Sequence, residues 1–149
     1  MTLRLSPALA AAAVLALACG PRPPAQETHS RRAEKSQDTL TSVLDVSVGK
    51  RVQLTLQVSN PTPRSVELNF PSGHTHDFVV LDSAGRQVWK WSEGRLFTQA
   101  MQNRVLEHRE SLSYEAGWQP GARRGTFVAV VSLISDDHPL EQRVQFTVP

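Results

Sequence analysis

The feature that most constrains this chain is a two-residue alternation that recurs from position 52 to the end. Val52, Leu54, Leu56 and Val58 alternate with Arg51, Gln53, Thr55, Gln57 and Ser59. Successive side chains of a strand point to opposite faces, so this pattern makes one dry face and one wet one. Asn60-Pro61-Thr62-Pro63-Arg64 breaks the run, because proline fixes φ and removes a backbone donor. Val66, Leu68 and Phe70 alternate again until Pro71-Ser72-Gly73. Phe78 to Leu81 reads as a short apolar strand, 82–86 as a hairpin loop with Gly85 free to take a positive φ, and Val88-Trp89-Lys90-Trp91 as the partner strand. Leu112 with Tyr114, the β-branched run Phe127 to Leu133, and Val144, Phe146 and Val148 complete the series. Pro120, Gly121 and Gly125 mark a turn between the first two of these. In 92–109, Phe97 and Met101 stand four residues apart, but no capped helix is convincing, and the stretch is read as a long loop. Seven or eight short strands without a helix of ordinary length predict an all-β fold, an immunoglobulin-like antiparallel sandwich.

The only cysteine of the 149 residues is Cys19, ahead of this region. The sandwich is therefore expected to have no intrachain disulfide, no cysteine nucleophile and no thiolate metal site. Residues 1–19 read as an export signal: Arg4 precedes an uncharged run of Ala, Val and Leu from Leu9 to Leu17. That run is shorter than the roughly 20 apolar residues a bilayer span requires. Its end, Leu15-Ala16-Leu17-Ala18-Cys19-Gly20, resembles the lipobox of bacterial lipoproteins, which implies a lipid-modified Cys19 and a place in the cell envelope. Ala16-Leu17-Ala18 also suits ordinary signal cleavage, and the cysteine directly after it favours the lipoprotein reading. Residues 20–39 hold Pro21, Pro23 and Pro24, mixed charges and no apolar side chain larger than alanine, so they are expected to form a disordered tether. One domain, 40–149, remains.

The formal net charge is +2, and loss of Arg4 with the leader leaves 15 basic against 14 acidic side chains. Such balance gives no footprint for nucleic acid. Gly-x-Ser-x-Gly, His-Glu-x-x-His and phosphate-cradling glycine loops do not occur, so the chain is not read as an enzyme, and no cofactor is expected. Glu107, His108 and Glu110 read as a solvated polar segment. His74 and His76, two apart and followed by Asp77, are candidate transition-metal ligands, set against the plainer reading of a turn with exposed imidazoles. Trp89 and Trp91 would share a strand face, as core or as an aromatic ligand platform.

Taken in order, Val58-Ser59-Asn60, Phe70-Pro71-Ser72-Gly73, His76-Asp77-Phe78, Gly85, Val88-Trp89, Trp91-Ser92 and Phe97-Thr98-Gln99 resemble the BsuPI-type intracellular proteinase inhibitor family from about Val52 to about Leu133. The resemblance implies a small β-sandwich and proteinase inhibition. It marks Asn60, Phe70, Pro71, Ser72, Gly73, Asp77, Phe78, Trp89, Trp91, Phe97, Thr98 and Gln99 as motif residues with a structural or binding role. The family pattern has a glutamine and an aromatic residue around 74–76, where this chain has His74 and His76, and an export signal departs from an intracellular inhibitor. Arg95-Leu96, in the loop after Trp91, is a basic-hydrophobic pair suited to a protease specificity pocket. The expected partner is a protein, a serine protease in the first reading, met by a monomer held to the membrane by its N-terminal lipid. The alternative is a structural or assembly lipoprotein that holds another envelope protein without inhibition, and a lesser one is metal or small-ligand capture through His74 and His76.

Overall fold

The computed structural model describes residues 40–149, so the leader, Cys19 and the tether lie outside the described residues. Nine strands follow one another: β1 (Thr41–Val48), β2 (Val52–Ser59), β3 (Val66–Phe70), β4 (His76–Asp82), β5 (Gln87–Lys90), β6 (Gln102–Leu106), β7 (Ser111–Trp118), β8 (Gly125–Leu133) and β9 (Leu140–Val148). The described residues contain no helix and no cysteine, and every strand pair is antiparallel. One sheet has the order β1-β2-β7 and a second has β5-β4-β8-β9, while β3 and β6 pair with each other. This is an all-β immunoglobulin-like arrangement, in which the three- and four-stranded sheets correspond to the two faces of such a sandwich.

The alternation read from the sequence sets the core. Val52, Leu54, Leu56 and Val58 of β2 are all fully buried. They meet Phe78 and Val80 from β4, Phe127, Ala129 and Val131 from β8, and Phe146 and Val148 from β9 in one cluster. Burying each such side chain contributes roughly 1.5–3 kcal/mol relative to leaving it in water. Trp118, at the end of β7, meets Phe127 edge-on with ring centroids 5.1 Å apart. The β8 strand is central, between β4 and β9, as its β-branched sequence implied. In the β4–β5 hairpin Gly85 takes φ 77°. There Asp82 accepts from the amides of Ala84 and Arg86, each at 2.9 Å. These contacts with Arg86, backbone first, hold the Asp82 carboxyl below the usual carboxylate range.

The short β3–β6 ladder prolongs the β2–β7 ladder. Ser59 pairs with Ser111, and after an interruption Val66 pairs with Leu106 in the same sense. Asn60 occupies the break and is fully buried. Its amide exchanges backbone bonds with this region, donating to Glu110 O at 3.0 Å and accepting at its carbonyl from the Arg109 amide at 2.8 Å. Its side-chain Nδ2 donates to the carbonyls of Arg64 (2.7 Å), Leu106 (2.9 Å) and Glu107 (3.3 Å). Its Oδ1 accepts from the amide (3.0 Å) and hydroxyl (2.7 Å) of Thr62. One side chain thus closes the hydrogen bonds that the Pro61–Pro63 break opens. Below it Leu68, Phe70, Leu106 and Leu133 form a second, smaller core.

Two expectations needed revision. The stretch read as a loop through 92–109 contains β6, whose first four residues are all exposed, so an edge strand was there without any alternation to reveal it. The strand count of nine exceeds the expected seven or eight for that reason and because Leu44 is the one buried residue of β1.

Candidate functional site

Where β4 begins and β5 ends, the fold gathers most of the residues that the sequence singled out. The chain enters β4 through His74-Thr75-His76-Asp77 and leaves β5 at Lys90, so that Trp91 falls just beyond the strand. The hydrogen bonding nevertheless continues past the strand end, from the Val80–Trp89 pair to the Trp91 amide, which donates to Phe78 O at 2.8 Å. Trp89 and Trp91 are both half-buried against the main core, the second where the chain turns into a loop.

Asp77 is the fixed point of this turn. It is 7% exposed. Its Oδ1 accepts from the Phe78 amide (2.9 Å) and the Ser92 amide (3.1 Å), and its Oδ2 from the Ser92 hydroxyl at 2.6 Å. Lys90 Nζ and His74 Nε2 both stand 3.4 Å from Oδ2. A buried carboxylate is tolerated when its lone pairs are met in this way. Gly94 takes φ 74° and lets the chain reverse.

Aromatic rings floor the loop. Phe97 stacks on His74 at 4.3 Å and 20°, while the Trp91 ring lies 4.4 Å from His76. His76 in turn lies 4.2 Å from Tyr114 of β7. Burial among these rings, reinforced by His74, lowers the His76 pKa to about 4, against the opposing pull of Asp77. Burial also pushes the Tyr114 hydroxyl up. Neutral imidazole here acts as a flat packing element. Among the described residues no group of three or more His, Cys, Asp or Glu side chains is placed to hold a metal ion.

The loop is secured at both ends. Arg95 lies over the Trp91 ring, its guanidinium carbon 4.4 Å from the centroid, and its Nε donates to Trp91 O at 2.7 Å. On the other side the Gly73 amide donates to Thr98 O at 2.9 Å. Between these anchors Leu96 is 99% exposed. Arg95 and Leu96, adjacent in sequence, are thus placed differently: the first folds back and the second projects.

Of the motif residues, Ser72, Gly73, Asp77, Trp91, Phe97 and Thr98 meet at this loop. Ser72 shapes its neighbour turn, its Oγ accepting from the His74 amide at 3.1 Å. Gln99 is exposed and bonds back to Phe97 O at 3.3 Å. Asn60, Phe70, Phe78 and Trp89 serve the scaffold, and Pro71 sits exposed at the turn. Sequence reading gave Lys90 and Tyr114 places in strands but no part in this site, and gave Ser92 only its place beside Trp91 in the family resemblance. The polar segment 107–110 is structural: Glu110 bonds Arg104 and the Glu107 amide, both at 2.9 Å, and His108 Nδ1 lies 2.6 Å from Thr62 O.

The family model described as BsuPI, intracellular proteinase inhibitor, matches residues 40–137. No curated protein matches the sequence. Among solved structures, β-glucosidase 3B from Thermotoga neapolitana in complex with α-D-glucose is 15% identical, with a TM-score of 0.40 over 73% of this chain and 16% of that one. A β-glucosidase from Kluyveromyces marxianus is 16% identical, with a TM-score of 0.39 over 74% of this chain and 14% of that one. The putative ApaA protein from Bordetella pertussis is 13% identical, with a TM-score of 0.38 over 74% of this chain and 90% of that one. The chain spans only about a sixth of the glucosidases it resembles.

Proposed function

The chain belongs to the BsuPI intracellular proteinase inhibitor family, and we propose that its domain inhibits a serine protease by surface contact through the loop 91–101. The carrying observation is that this loop presents a wholly exposed leucine between two anchored neighbours. Inhibitors of this kind succeed by ordering the contact segment before binding, so that little entropy is lost on association. Asp77, the ring floor and the Gly73–Thr98 contact provide that order in the free domain. Binding needs no chemistry from the domain itself, in keeping with a Ser72 hydroxyl that serves a turn amide.

The proposal extends to location. A leader ending at Cys19 and a polar tether over 20–39 suit a lipid-anchored domain in the bacterial envelope, acting on a protease exported to the same compartment. Acylation at one cysteine with more than one chain gives stable anchoring, whereas a single chain does not. Changing Cys19→Ser should move the protein from the membrane fraction to the soluble one, and retention in the membrane would exclude this anchor.

The decisive experiment titrates the full chain against a panel of serine proteases. Saturable, stoichiometric inhibition is the expected result. Proteases that remain fully active while the domain survives intact would reject inhibition and leave a role in holding another envelope protein.

A further inference from the structure

We infer that Leu96 is the side chain this domain inserts into its partner, and that the receiving pocket of the protease is apolar. The inference rests on the inhibitor reading and deepens it by naming the specificity residue. The sequence offers two neighbouring candidates with opposite consequences. A basic side chain would select a pocket holding a carboxylate, and an aliphatic one a hydrophobic slot.

The fold separates the two. The Arg95 amide donates to Ser92 O at 3.1 Å, its Nε donates to Trp91 O at 2.7 Å, and its guanidinium carbon lies 4.4 Å from the Trp91 ring centroid. Withdrawing that side chain into a pocket would break a charge-assisted hydrogen bond and a cation–π contact, and would loosen the turn they hold. Leu96 has no such contacts to break, being 99% exposed.

Single exposed leucines are common on protein surfaces and usually mean nothing. Two features distinguish this one. Its neighbours are both fixed, Arg95 on Trp91 and Phe97 on His74 at 4.3 Å, so its backbone is held before any partner arrives. The same loop also ends on Met101, 72% exposed, a second apolar side chain that it leaves open to solvent. A side chain whose backbone is already ordered loses mainly its own rotamer freedom on burial, which favours insertion.

The test titrates the full chain against a chymotrypsin-type protease, whose primary pocket is a hydrophobic slot, and a trypsin-type protease, whose pocket holds a carboxylate. The expected result is saturable inhibition of the first and none of the second. Leu96→Ala should weaken inhibition by about tenfold or more, the scale of burying a leucine side chain. Its melting temperature should match that of the native chain, because the leucine packs against nothing. Leu96→Arg should transfer inhibition to the trypsin-type enzyme. Inhibition of the trypsin-type enzyme by the native chain, lost in Arg95→Gln and kept in Leu96→Ala, would overturn the assignment while leaving the inhibitor function intact. If no serine protease of either pocket class is inhibited, the inhibitor reading itself fails and the assignment falls with it.

Discussion

Gly73 and Thr98 approach so closely that a Cβ on the glycine would stand 2.9 Å from Thr98 Oγ1 and 3.3 Å from its amide nitrogen. Their backbones are joined there by a 2.9 Å hydrogen bond. The glycine is required for this contact and not for a positive φ. Gly73→Ala should therefore push the 91–101 loop away from the turn that precedes β4, at a stability cost of about 1 kcal/mol, with a larger effect on protease binding than on folding. Adding Thr98→Ala removes the hydroxyl and should restore part of the loss. Native-like inhibition by Gly73→Ala alone would show that this contact does not hold the loop.

Asn60 presents a different kind of requirement. Replacing it by alanine takes the Nδ2 donor from the buried Leu106 carbonyl and the part-buried Glu107 carbonyl, and frees the Pro61–Pro63 loop. The expected loss is about 2–4 kcal/mol, from several hydrogen bonds removed together with the cost of unpaired buried groups. Asn60→Asp should be at least as damaging, because a carboxylate would face carbonyls it cannot bond. Urea denaturation measures both, and an unchanged midpoint for Asn60→Ala would refute this role.

The sandwich was legible wherever a strand had one buried face. β2 repeats Val-x-Leu-x-Leu-x-Val, and every one of those apolar side chains is in the core. β6 was invisible because Gln102, Asn103, Arg104 and Val105 all face water, leaving Leu106 alone as a buried residue, and period-two patterns cannot register one residue. The site was legible as composition and not as geometry. His74 and His76 looked like metal ligands because spacing shows which face they share, while only tertiary packing brings Phe97, Trp91 and Tyr114 against them. Arg95 and Leu96 looked equivalent because nothing local reports that Trp91 lies beneath the first.

That placement of Arg95 predicts a measurable effect from one conservative change. Arg95→Lys keeps the charge but removes the Nε–H that reaches Trp91 O and the flat group that covers the indole. It should weaken protease inhibition by about three- to tenfold, roughly the loss of one charge-assisted hydrogen bond and a partial cation–π contact. Limited proteolysis should show faster cutting between 93 and 99 than in the native chain. Equal inhibition and equal cutting would mean that the arginine does not brace the loop.

The His76 imidazole ties stability to pH. It faces Trp91 and Tyr114, with His74, Asp77 and Arg95 as the charged or titratable groups acting on it, Thr75 Oγ1 3.1 Å from its Nδ1, and Lys90 held nearby by Asp77. Burial sets its pKa at about 4, below the ordinary 6.5, so the unfolded chain takes up a proton in a range where the folded chain does not. Stability from this group is therefore complete above about pH 6.5, declines as the pH falls toward 4, and changes no further below that. Because the ring is partly open to solvent, the loss should be about 1–2 kcal/mol, or roughly 4–8 °C in Tm. The carboxyl of Asp137 is raised by burial but lowered further, to about 2, by hydrogen bonds from Ser135 and Asn69, so its own contribution is lost only under more acid conditions. Melting scans from pH 7.5 to 4.5 therefore stay clear of Asp137, and the comparison that follows assigns the change to the histidine. His76→Phe keeps a ring between Trp91 and Tyr114 and removes the titration, and its Tm should vary less over that interval than the native Tm. If the two proteins lose stability in parallel, protonation of His76 is not what destabilises the fold in mild acid.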